Sequence, residues 1–211
     1  MSAIFNKFIK TWRRFWMGFI GTAMLGVVVA FLTKAHLGVD PFTDFVQGLA
    51  NIFNSTYSTF FLIVTGVLLV IDFFWDRRKL GIVTVINLFA VGSVYSVAIR
   101  PLNYFFPEPL LWQQFLFLFI ALVVLCFASS LYMTSDLGVS SYDAVAIILS
   151  EKTPFQFRWC RIFTDLCCVI IGFVCGANVG IGTVITAFCM GPFTQWCCDH
   201  FAKPLLARSE R

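Results

Sequence analysis

The sequence predicts an all-α membrane protein. It has six transmembrane helices plus two short re-entrant or interfacial helices, arranged as two inverted-topology three-helix repeats. Three observations lead there. Hydrophobic residues make up 59% of the 211 residues and charged residues only 12%, about half the charged share of an ordinary soluble domain. The apolar residues fall in blocks of about 17–23, the length of a helix that crosses the hydrocarbon core. Two motifs recur in the same order, about 100 residues apart.

The apolar blocks place spans at about 15–32, 58–75, 80–99, 110–132, 159–176 and 179–198. Segments at about 40–52 and 140–151 are helix-like but too short to cross. Residues 1–211 form one transmembrane domain, with repeat 1 at about 15–100 and repeat 2 at about 110–200. Six spans leave about 90 residues for turns and tails. That is too few for a separate soluble domain, which excludes nucleases, kinases and other enzymes built on their own globular core. Lys7, Lys10, Arg13 and Arg14 before an apolar run resemble a signal peptide. The run is too long for a signal segment and no small-residue cleavage site follows it, so it reads as a retained first span.

The net charge of +4 comes from basic residues flanking apolar blocks. It therefore reports topology, and nucleic acid is not an expected partner. With both termini in the cytoplasm, all basic residues except Lys34 and Arg100 fall on the cytoplasmic side. Asp76-Arg77-Arg78-Lys79 is the sharpest cytoplasmic marker, and Asp72 beside it reads as interfacial. All 8 cysteines lie in the second half, mostly within apolar blocks. That is not a secreted disulfide framework, and ordinary packing outweighs a soft-metal site. No cofactor and no metal are expected.

Leu37-Gly38-Val39-Asp40-Pro41-Phe42-Thr43-Asp44 is echoed by Leu137-Gly138-Val139-Ser140-Ser141-Tyr142-Asp143. Gly81-Ile82-Val83-Thr84-Val85-Ile86-Asn87 is echoed by Gly180-Ile181-Gly182-Thr183-Val184-Ile185-Thr186, and Gly92 and Gly191 extend that match. Each half holds three spans, an odd number, so the second half inserts upside down relative to the first. Many secondary transporters share this plan.

In the first motif Asp40 is a strong N-cap and Pro41 suits the first helical position. In the second half Ser140 caps, with Asp143 three residues later as in a capping box. Asp44 and Asp143 match across the repeat if a one-residue gap is allowed. Carboxylates inside a membrane tend to mark substrate or proton paths. Thr84 with Asn87, and Thr183 with Thr186, stand three apart and share a helix face. Such groups either glue helices or line a site; Asn87, both donor and acceptor, is the best single candidate for substrate contact. Asp165 is the deepest acidic residue by position. It is either paired locally with Arg161 one turn away or a proton-coupling carboxylate. Candidate substrate residues are therefore Asp44, Thr84, Asn87, Asp143, Thr183 and Thr186, with Asp165 for proton coupling and Asp40 and Ser140 as helix caps. No P-loop, dinucleotide fingerprint or His-Glu-x-x-His is present, no catalytic residue emerges, and an enzyme is not expected.

Gly38, Pro41 and Asp44, then Gly81, Thr84 and Asn87, then Gly180, Gly182 and Thr183, together resemble the YczE/YyaS/YitT-type family of bacterial integral membrane proteins. The resemblance runs from about residue 15 to 205. Val83 stands where glycine would complete Gly-x-Gly-Thr in the first half, and Phe42-Thr43 where Trp-Asp is common. The resemblance implies a multi-pass protein of the bacterial inner membrane, in contact with the bilayer. It supplies no substrate. The leading expectation is a small secondary transporter or permease for a small polar or anionic solute, working as a homodimer. The alternative is a non-transporting membrane binding subunit or accessory protein that acts with a partner.

Overall fold

The computed structural model describes residues 2–77 and 80–209, without the side chains of 1–10, 157, 189, 191–192 and 207–211. Arg78 and Lys79 of the expected cytoplasmic marker, and Arg211, lie outside the described residues. The helices are α1 (Ser2–Ala35), α2 (Pro41–Ile52), α3 (Tyr57–Trp75), α4 (Ile82–Phe105), α5 (Leu111–Thr134), α6 (Ser141–Lys152), α7 (Phe157–Val174) and α8 (Ile181–Cys197). A π-helical turn, Cys198–Ala202, leads into α9 (Lys203–Ser209). The described residues contain no strand.

Among the described residues, four helices are long and apolar enough to cross a membrane: Thr11–Ala35 of α1, then α3, α4 and α5. The other two expected spans form helices but fall short of that standard. α7 has 18 residues and carries Arg158, Arg161 and Asp165, and α8 has 17 residues. Large apolar side chains face outward, among them Phe74, Phe89, Phe119 and Phe173. Such a surface suits contact with lipid tails and not with water.

α1 is the central element and packs against α5 and α4. Small residues allow the close approach. A Cβ on Gly21 would stand 2.8 Å from the Ala128 carbonyl oxygen, and one on Gly26 would stand 2.8 Å from that of Val91. Val28, Leu32 and Ala35 of α1 are buried with Phe117, Leu118, Ala121 and Leu125 of α5. Polar pins hold both ends. Arg14 pairs with Asp136 at 3.2 Å. The Lys34 ammonium donates to Asn103 Oδ1 at 3.1 Å and to the Pro107 carbonyl at 3.0 Å.

Both short helices are packed into the bundle against α3 and α7. α2 begins as its sequence dictates: Thr43 N–H donates to Asp40 Oδ2 at 3.1 Å, and Pro41 takes the first turn. Gly48 of α2 meets Gly172 of α7, where a Cβ would lie 2.8 Å from the Gly172 carbonyl oxygen. α6 differs from the expected capping box. Ser140 occupies the cap position but makes no side-chain cap bond. Asp143 cannot complete the box because its carboxylate turns to Arg161 of α7. The helices begin at Pro41 and Ser141, so the expected one-residue gap does not exist. Asp143 corresponds to Thr43, and Asp44 stands one position further along.

Asp72, in the last turn of α3, is packed inside the protein. It is 0% exposed. Neither carboxylate oxygen has a hydrogen-bond partner among the described residues. Arg77 does not reach it, because that guanidinium sits 4.2 Å from the ring centroid of Phe73.

Candidate functional site

The glycine motifs place the loops that precede the short helices. Gly81 opens α4 and lies against the Leu137 carbonyl; Gly180 opens α8 and lies against the Leu37 carbonyl. Val83 N–H donates to Leu137 O at 3.2 Å, and Gly182 N–H donates to Leu37 O at 2.7 Å. Each half thus inserts its Leu-Gly-Val loop into the start of the other half's last long helix. The loop backbones match as well: Gly38 and Gly138 have φ of +97° and +110°, a region natural to glycine.

The threonines of these motifs act as pins. Thr84 Oγ1 donates to the Val139 carbonyl at 2.7 Å. Thr183 Oγ1 donates to Asp44 Oδ2 at 2.7 Å. Asp44 is 1% exposed, and its carboxylate ties α2 to α8. Of the predicted substrate residues, Asp44, Thr84 and Thr183 therefore lie in helix contacts and do not line the cavity where the others meet.

The others do meet at a cavity. It has a volume of about 90 Å³, and Asp40, Asn87, Ser140, Asp143, Asp165 and Thr186 all line it. Asn87 from α4 and Thr186 from α8 stand at the same place in the two Gly-x-x-Thr motifs. The Thr186 hydroxyl bonds back to its own helix, at 3.0 Å to Gly182 O and 2.9 Å to Thr183 O.

Arg161 of α7 organises the charged wall. Its guanidinium pairs with Asp143 of α6 and stands 3.3 Å from Asp165. The Tyr142 hydroxyl donates to the Asp165 carboxylate. The Arg161 Cζ lies 4.6 Å from the centroid of the Tyr142 ring, whose other neighbour is Phe42 at 4.6 Å, stacked at 17°. Charge pairing, hydrogen bonding and a cation–π contact thus converge on one half-buried guanidinium.

Arg161 is the residue that sequence reasoning misplaced. It reads as one more cytoplasmic flanking charge, but the fold turns it onto the cavity between two carboxylates. Its spacing to Asp165 was the available signal, and the local ion pair does form. Tyr57, Phe61 and Tyr132 also line the cavity and had no motif to mark them. Cys160, Cys167, Cys168, Cys175, Cys197 and Cys198 are free thiols; the side chain of Cys189 lies outside the described residues.

Residues 12–199 match DUF6198, a family of unknown function. The chain belongs to that family. An uncharacterized protein of Haemophilus influenzae is 25% identical over 86% of this chain and 81% of its own length. The uncharacterized membrane protein YczE of Bacillus subtilis is 23% identical over 88% of this chain and 84% of its own. YyaS of Bacillus subtilis, also uncharacterized, is 20% identical over 90% of this chain and 92% of its own. The resemblance read from the glycine and threonine motifs is thereby borne out. No solved structure matches the chain.

Proposed function

We propose that this DUF6198 protein is a small secondary transporter or permease for a small polar solute, bound in the cavity between the two halves. The single observation behind this reading is the cavity's composition. It joins equivalent positions of both repeats, Asn87 and Thr186, to the cluster of Arg161 with the buried Asp143 and Asp165. Ionisable groups inside a membrane bundle are expensive and by default mark a solute or ion path. We read the halves as inverted-topology repeats in the bacterial inner membrane, with both termini cytoplasmic. The reciprocal loop insertions at Leu37 and Leu137 support that plan. A site at the interface of two such repeats is where transporters of this design bind.

The experiment is uptake into proteoliposomes together with thermal stability against a panel of amino acids, organic acids, amines and nucleosides. A ligand that binds only the folded protein raises the apparent midpoint. A specific rise matched by uptake, both lost in Asp143→Asn, is the expected result. Binding without uptake would leave a membrane binding subunit in place of a transporter. No rise with any solute would remove the solute site.

A further inference from the structure

We infer that the cavity takes a small organic ammonium ion, gripped between carboxylates and an aromatic wall. This rests on the solute-site reading above and narrows its substrate to a cation.

The charge inventory of the wall comes first. Apart from tyrosine hydroxyls, its ionisable side chains are Asp40, Asp143, Asp165 and Arg161. Three carboxylates face one guanidinium, and the wall stays negative with one of the three protonated. The single cation is already engaged by Asp143 and by Asp165. An anion would have to displace both and sit in a negative field. An ammonium N–H instead finds an acceptor in Asp40. Its Oδ2 accepts the Thr43 N–H at 3.1 Å, and the Thr43 side chain and its own backbone also bond it, which leaves about one of a carboxylate's roughly four acceptor sites.

The aromatic side of the cavity points the same way. Phe42, Tyr57, Phe61 and Tyr142 line it, all buried. Their ring centroids form a chain: Phe42 to Tyr142 at 4.6 Å, Phe42 to Phe61 at 6.1 Å, and Tyr57 to Phe61 at 5.7 Å. Ring faces attract cations, and Arg161 over Tyr142 shows that this wall already hosts one. Tyr57 Oη is buried on the same wall, and its oxygen can accept an entering N–H. The cavity's volume of about 90 Å³ is well above the roughly 10–15 Å³ that a single water needs, so it has room for a small organic ion.

The test uses the full chain in detergent with methylammonium, dimethylammonium, sodium, acetate and inorganic phosphate at equal ionic strength. The readout is the apparent thermal midpoint. The expected result is a saturable rise with methylammonium or dimethylammonium and none with sodium. Phe61→Leu and Asp40→Asn should each weaken that response at least tenfold in half-saturating concentration. Asn remains a good N-cap, so Asp40→Asn keeps α2 capped if Phe61→Leu fails to fold. A rise with acetate or phosphate alone would overturn the ammonium assignment and leave the solute site standing. An equal rise with sodium would overturn the aromatic part. No rise with these ions or with any solute of the wider panel would overturn the site itself.

Discussion

Gly180→Ala tests the loop insertion on which the cavity depends. An ideal Cβ on Gly180 would collide with the Leu37 carbonyl oxygen, and would stand 2.6 Å from the Leu37 carbonyl carbon and 3.0 Å from Gly38 N. Carbon atoms in good contact are about 3.5–4.0 Å apart, so the loop would have to retreat by roughly 1 Å. It is anchored at that point by the 2.7 Å bond from Gly182 N–H to Leu37 O. Overpacking costs about 1–3 kcal/mol and the strained hydrogen bond about 1 kcal/mol. Backbone strain does not enter, because φ at Gly180 is −145°. Alanine also lowers the entropy of the unfolded chain, an offset of about 0.4–1 kcal/mol. The net loss is about 1–3 kcal/mol, or about 3–10 °C in midpoint on the scale of soluble domains of this size. Gly66→Ala is the control. Nothing lies within 4 Å of its added Cβ, and an alanine inside α3 should gain about 0.5–1 kcal/mol. Both variants are followed by tryptophan fluorescence during heating in detergent. A Gly180→Ala protein melting at or above the parent would refute the close approach of Leu37 to α8.

Three further outcomes follow from buried polar groups, each read as an apparent midpoint in detergent. Thr183→Val removes the 2.7 Å donor to Asp44 Oδ2 and leaves a buried carboxylate short of a partner, a loss of about 1–3 kcal/mol. Arg161→Met strands Asp143 and Asp165 and should cost about 3–5 kcal/mol, much of it recovered by adding Asp143→Asn and Asp165→Asn. Asp72→Leu replaces a fully buried carboxylate that lacks any hydrogen bond among the described residues, and should raise the midpoint by the equivalent of about 1–3 kcal/mol.

The glycine motifs show how far pattern reading reaches. Gly81 and Gly180 permit close backbone approach. Their partners, the Leu137 and Leu37 carbonyls, could not be named, because they lie in the opposite half of the chain. The paired threonines divide in the same way. Thr84 and Thr183 became pins, while Asn87 and Thr186, one turn further on, reached the cavity. Spacing places such pairs on a common face, but the residues facing them depend on how remote helices cross. Asp44 and Asp143 looked equivalent by sequence. One ties α2 to α8 through Thr183, and the other grips Arg161.

The sequence by itself determined what depends on neighbouring residues and solvent. The apolar blocks dictate helices in a membrane, since a backbone in lipid must satisfy its own hydrogen bonds. Asp40-Pro41 dictates the start of α2 because the capping bond spans three residues. Tertiary structure decided the rest. Ser140 stands at a cap position yet makes no side-chain cap bond, and the Asp143 carboxylate that would complete its box pairs with Arg161 on α7. Arg161 became the centre of a cavity and not a flanking charge. A buried ion is held by whichever opposite charge the helix packing brings within reach, and that packing is settled by contacts spread over the whole chain.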